Sequence, residues 1–202
     1  MNVREMQTAL NTLGFPCGTP DGIAGPLTRT AVARFQLAYA HERITVDGLH
    51  GPQTFAALRT VLTSGRLAPH FGVSEVRSKG DGTAWVHRDL LFALEALRAH
   101  VGRPLPLISA WRDVAHNRRV GGASRSQHTF GAAPELDAIR GRLVSSAVRV
   151  AGRAADFNRG YIRLDEAVGL GLFGGLGHRD GWVTHVDVRA GSTLKPVTWR
   201  YG

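Results

Sequence analysis

DGIAGPLTRTA at residues 21–31 and DGLHGPQTFAA at residues 47–57 are two copies of one unit, offset by 26 residues. Asp, Gly, Gly, Pro, Thr and Ala recur in register. In each copy Asp-Gly supplies an Asx-type turn with a glycine free to take positive φ. Gly-Pro then opens a helix, because proline is tolerated in a first turn. Upstream, Val3, Met6, Leu10 and Leu13 keep helical spacing, as do Ala31, Val32 and Phe35. A turn-and-helix unit that repeats in this way leaves little choice but a small three-helix bundle, expected to end near Leu62.

This stretch resembles the type 1 peptidoglycan-binding domain over residues 3–62. The elements that carry the resemblance are the first helix up to LGF, the DGxxGPxT turn, the AVxRFQ helix and the second DGxxGPxTxxAL. It implies anchoring to bacterial peptidoglycan through the groove between the helices.

The polar, Gly- and Pro-containing stretch TSGRLAPHFG at 63–72 marks a boundary, giving domains at 1–64 and 65–202. In the second part HRDLLFALEALRAHVG places Leu90, Leu91, Leu94 and Leu97 on one helical face. PLPLISAWR (104–112) reads as a short buried strand and RAADF (153–157) as another. Residues 134–152 keep helical spacing through Leu136, Ile139, Leu143, Ala147 and Val150. GLFGGLGHRDGWVTHVDVR (171–189) has a glycine-rich approach followed by a strand after the turn at Arg179–Gly181. The expected fold is thus two domains, a small all-α three-helix bundle and then an α+β domain with a small antiparallel sheet.

Charge narrows the partners. The chain carries a net +9. Residues 1–64 hold five Arg against four acids, while residues 65–202 hold 20 Lys and Arg against 12 acids. Such a surface favours a polyanionic neighbour. Nucleic acid is not expected, since no block of consecutive Lys and Arg occurs and aromatics are only 7% of the chain. No transmembrane segment is expected either, because no apolar run approaches the roughly 18 residues a span needs. Cys17 is the single cysteine, which excludes an internal disulfide and a zinc site of several thiolates.

The remaining metal-ligating chemistry is concentrated in three places. In Thr184-His185-Val186-Asp187 the alternation of a strand puts His185 and Asp187 on one face. His128 sits in the polar loop SRSQHTFG, followed by Glu135 and Asp137. Asp156 lies in RAADF. A catalytic zinc needs about three protein ligands and one open position.

From residue 70 to 202 the chain resembles the zinc D-alanyl-D-alanine carboxypeptidases and the related L-alanyl-D-glutamate endopeptidases. These share a fold with the hedgehog signalling domain and the vancomycin-resistance dipeptidases. The matching pieces are HFGVSEVRSKGDG, the long helix, ISAWR, SRSQHTFG, GRAADF, GLFGGLG and WVTHVDVR. The resemblance implies Zn2+ held by His128, Asp156 and His185. It further implies that Arg112 holds a substrate carboxylate and that Ser126 either contacts substrate or caps its loop.

Two departures from the family pattern stand out. The motif S-x-H-x-x-G-x-A-x-D is not present whole. Read without a gap, it runs Ser126, His128, Gly131, Ala133 and then Glu135. Read with an insertion, RAADF supplies Ala154 and Asp156. The split reading is preferred because Asp156 is the family's residue type and stands one short helix before GLFGGLG. Glu135 is already accounted for by the first turn of a helix, where the dipole favours an acid. Asp137 is a more distant alternative. Secondly, Trp182 occupies the position three before His185, where several family branches carry an acid. Asp187 is therefore expected to be the general base, with Asp180 in reserve.

Together these features imply a monomeric zinc peptidase that cuts the peptidoglycan stem peptide, of the phage endolysin type. Its basic domain would be drawn to anionic envelope polymers. MNVREMQTALNTLGF lacks the order of a signal peptide. The expected route is synthesis in the host cytoplasm and holin-mediated release to the wall, or secretion if a signal has been removed. A bacterial carboxypeptidase or remodelling enzyme, and a catalytically inactive wall-binding protein, are the alternatives.

Overall fold

The computed structural model describes residues 1–129, 151–189 and 195–201. Glu135, Asp137 and nearly all of the helix expected over 134–152 lie outside the described residues.

The first region is helical throughout. Helix α1 (Val3–Thr12) starts at Asn2, whose side chain and that of Glu5 close a capping box. Helices α2 (Pro26–Ala38) and α3 (Pro52–Ser64) each begin on proline after an extended glycine, as the repeat dictates. A glutamine pins each copy of the turn. The buried Gln7 side chain lies 2.8 Å from Asp21 Oδ1 and 3.1 Å from both the Ile23 carbonyl and Thr28 Oγ1, and it accepts from the Gly22 amide. Gln36 does the same for the second copy, reaching Asp47, the Leu49 carbonyl and Thr54 and accepting from the amides of Asp47 and Gly48. Each turn is thereby closed by one side chain that satisfies its otherwise buried polar groups.

The polar joint is more structured than its composition suggests. Leu67, Ala68 and Phe71 are buried, and the Leu67 carbonyl accepts from the Ala40 amide at 2.7 Å. One continuous apolar core runs from Met6, Phe35 and Leu58 to Leu90, Phe157 and Val186. Backbone contact is close enough that a Cβ on Gly14 would lie 2.7 Å from the Gly82 carbonyl oxygen. The Arg34 guanidinium stacks 3.4 Å from the centre of the Trp85 ring, and Arg88 donates to the Ile44 carbonyl at 2.7 Å.

The second region is a mixed helix and sheet domain. After the short helix α4 (Val73–Val76) comes α5 (Arg88–Val101), whose buried face is Leu90, Leu91, Leu94 and Leu97, as the spacing requires. Strand β1 (Leu107–Ser109), helix α6 (Val114–Arg119), β2 (Ala154–Phe157), helix α7 (Leu164–Leu170), β3 (Gly175–Arg179), β4 (Trp182–Asp187) and β5 (Val197–Arg200) follow. The sheet order is β1-β2-β4-β3-β5. Strand β1 was expected to be buried, but it forms an edge with Ile108 46% exposed.

Four strands are antiparallel to their neighbours, and β5 adds parallel to β3, so the sheet is not wholly antiparallel. Topology explains this. Gly175 opens β3 and pairs with Asp187 at the end of β4. A chain leaving Asp187 for the free edge of β3 starts beside Gly175, at Val197, and must run the same way.

Candidate metal centre

Three side chains that are distant in sequence meet at the centre of the sheet. Asp156 on β2 and His185 on β4 are direct cross-strand partners, so their side chains emerge together. His128 arrives from a one-turn 3-10 helix, Gln127–Thr129, packed against β2 and α6. One ligand atom from each of the three lies within 4.8 Å of the others. His128 is 2% exposed and His185 6%.

Each histidine has one ring nitrogen committed away from the cluster. His128 Nδ1 donates to the Ala110 carbonyl at 2.5 Å, which leaves Nε2 facing Asp156 Oδ2 at 3.2 Å. Burial keeps the His128 ring below its ordinary pKa and therefore neutral, despite the neighbouring Asp156 carboxylate. An unprotonated nitrogen and a carboxylate oxygen then face one another, an arrangement that a cation between them would relieve. His185 turns Nδ1 to Asp156 Oδ1 at 2.7 Å and Nε2 to Asp187 Oδ2 at 3.4 Å. Burial works to lower the His185 pKa, but Asp156 and Asp187 on either side outweigh it and raise it. Burial alone would raise the Asp156 carboxyl. Contact with the His128 and His185 rings outweighs this and holds it well below the usual carboxylate range.

Two imidazoles and one carboxylate form the mixed nitrogen and oxygen set that suits zinc. The backing of each histidine by a fixed acceptor is the arrangement that orients ligand rings in metal sites. The residues present therefore fit the ion that the sequence implies.

The cluster lies in a cleft of about 920 Å³ whose lining includes Arg112, Ser126, Trp199 and Tyr201. Arg112 ion-pairs with Asp156 Oδ2 and donates from Nε to Ser109 Oγ at 2.8 Å. Ser126 holds the histidine turn: its carbonyl accepts from the Thr129 amide at 3.0 Å and its Oγ from the His128 amide at 3.3 Å. Its hydroxyl is thus engaged in shaping the loop, although the residue also lines the cleft.

Asp187 sits elsewhere. It is fully buried on the far edge of the His185 ring, gripped by Arg189 from Nε at 2.7 Å and from its Nη2. Burial opposes ionisation, but Arg189 and His185 hold its carboxyl down at about 2. It is absent from the cleft lining, where Asp156 is the one carboxylate among the described residues. Asp180 occupies the β3–β4 turn with φ 52° and pairs with Arg159 and Arg200 in solvent. Trp182 stacks under Arg163, whose guanidinium is 5.0 Å from the ring centre.

The aromatic wall of the cleft escapes sequence reasoning. Trp199 packs 5.1 Å from the His185 ring and 6.2 Å from Tyr201. Both rings press on Gly177, where a Cβ would lie 2.6 Å from Tyr201 and 2.8 Å from Trp199. The glycine run of β3 could have signalled this, since glycine within a strand marks a close approach.

Comparison with known proteins agrees with this architecture. Residues 1–58 match the family described as "Putative peptidoglycan binding domain", and residues 69–168 match peptidase M15. The chain is 33% identical over 152 residues to the zinc D-Ala-D-Ala carboxypeptidase of Streptomyces albus G. That alignment takes in 67% of this chain and 57% of the relative, so the chain spans little over half of the relative's length. The chain thus pairs a domain of the peptidoglycan binding family at its N-terminus with a peptidase M15 domain in its C-terminal part.

Proposed function

We propose that the protein is a zinc peptidase that hydrolyses a bond in the stem peptide of bacterial peptidoglycan while its N-terminal domain holds it to the wall. The observation that carries this reading is the convergence of His128, Asp156 and His185 within 4.8 Å in an open cleft. His128, Asp156 and His185 would hold a zinc ion, which would supply Lewis-acid polarisation of the scissile carbonyl and activation of a water.

The protein's own residues prepare that chemistry. Ala110 and Asp187 fix the ring orientations of His128 and His185. Arg112 stands at the cluster and offers a planar fork to a substrate carboxylate, in competition with its present bond to Asp156. Trp199 and Tyr201 form an aromatic wall on one side of the cleft. Asp187 acts through His185 as a positioning residue, because its carboxylate faces the ring and not the cleft. This departs from the general-base role expected for it.

The biological role follows as the finer part of the reading. A wall-binding domain joined to a domain whose 20 basic residues face 12 acids suits lysis of an anionic envelope, as a phage endolysin performs it. The test is incubation of the zinc-loaded full chain with purified walls, followed by mass spectrometry of the released muropeptides. New amine termini at one stem bond, with loss of turbidity, support a lytic peptidase. Loss of a terminal residue without clearing supports a carboxypeptidase. Sedimentation with walls and no new amines would overturn the peptidase reading.

A further inference from the structure

The cleft around the metal cluster carries more positive charge than one substrate carboxylate requires. Arg112, Arg125, Arg159, Arg179 and Arg189 all line it, against the single described carboxylate of Asp156. Arg112 and Arg189 are committed to Asp156 and Asp187. Arg159 and its partner Asp180 stand 3.7 Å apart with side chains 65% and 58% exposed, a pairing that water largely screens. Arg125 has no salt bridge among the described residues, and Arg179 closes β3 on the same cleft. These cations come from three separate segments: the loop before the histidine turn, the end of β2 and the end of β3.

We infer that the cleft is selective for a peptide bearing several free carboxylates, and that Arg125 and Arg159 read carboxylates away from the scissile bond. In a stem peptide these are the α-carboxylate of a γ-linked glutamate and the side-chain carboxylate of a diamino diacid. Amidation of either group removes the charge and the two-pronged acceptor that a guanidinium matches. A walled cleft lined by one sign of charge also concentrates ligands of the opposite sign. The inference rests on the peptidase reading for its choice of probe.

The test uses two synthetic stem pentapeptides of identical sequence, one with both carboxylates free and one with both amidated. Calorimetry on the full chain in EDTA measures binding without turnover. The free form is expected to bind about tenfold or more tightly at low salt. The difference should shrink as salt rises and fall below about threefold in Arg125→Gln/Arg159→Gln, with thermal stability and zinc content unchanged. Equal dissociation constants for the two peptides, or a preference that the double variant keeps, would overturn the inference. Arginines serving a phosphate-bearing wall polymer would give that equal binding. Zinc-loaded wild type then separates the two readings. Equal hydrolysis of both peptides removes only the selectivity, while hydrolysis of neither peptide nor walls removes the peptidase reading itself.

Discussion

His185 Nε2 lies 3.4 Å from Asp187 Oδ2, on the opposite edge of the ring from Asp156, whose Oδ1 is 2.7 Å from Nδ1. A carboxylate in that position selects the tautomer of a ligand histidine, and loss of such a partner costs about 10–100-fold in metal affinity. Asp187→Asn is expected to weaken zinc binding by that amount and to recover much of its activity when zinc is raised. Competition with a chromophoric chelator measures the affinity. Unchanged affinity with turnover reduced by about two to four orders of magnitude would return Asp187 to general base.

The repeated turns give a second prediction. Gln36 satisfies five polar groups around residues 47–54 from a buried position. Gln36→Leu leaves those groups buried without partners, at about 1–3 kcal/mol for each that water cannot reach. A loss of about 3 kcal/mol in urea unfolding is expected, with the same direction for Gln7→Leu. An effect below about 0.5 kcal/mol, the range of neutral surface changes, would show that the turns stand without their glutamines.

Contact between the two regions bears on whether they separate. Arg34 is buried deeply enough for its pKa to fall to about 10, and its guanidinium lies 3.4 Å from the Trp85 ring centre. Desolvated cation–π contacts contribute about 2 kcal/mol. Arg34→Ala should lower the stability of the full chain by about that much, and the chain should unfold in one transition by both fluorescence and circular dichroism. Two transitions, with the second unmoved by the substitution, would show that residues 1–64 and 65–202 fold independently, as the polar joint by itself suggests.

Local signals in the sequence carry the first region almost completely. Turn residues and helical spacing act over a few positions, and both copies of the DGxxGPxT unit fold as read. Gln7 and Gln36 escape because their partners stand 14 and 11 residues or more away, and a glutamine on a helix usually faces water. In the sheet domain α5 and β2 follow their patterns. β3 does not, because GLG has low strand propensity and is required instead by crowding from Asp187 and Tyr201. His128 and Asp156 are 28 residues apart, so nothing in spacing joins them; only the family resemblance did. Alternation puts Asp187 on the same strand face as His185, but it does not say which edge of the ring the carboxylate takes.

The coordination of zinc by His128, Asp156 and His185 is the central claim, and elemental analysis of purified variants tests it most directly. Wild type should retain about one zinc per chain, as a three-ligand catalytic site would. His128→Ala, Asp156→Ala and His185→Ala should retain essentially none and lose hydrolysis, whereas Glu135→Ala should remain loaded. Zinc retained in Asp156→Ala and absent from Glu135→Ala would contradict the assignment and give the acidic ligand to Glu135.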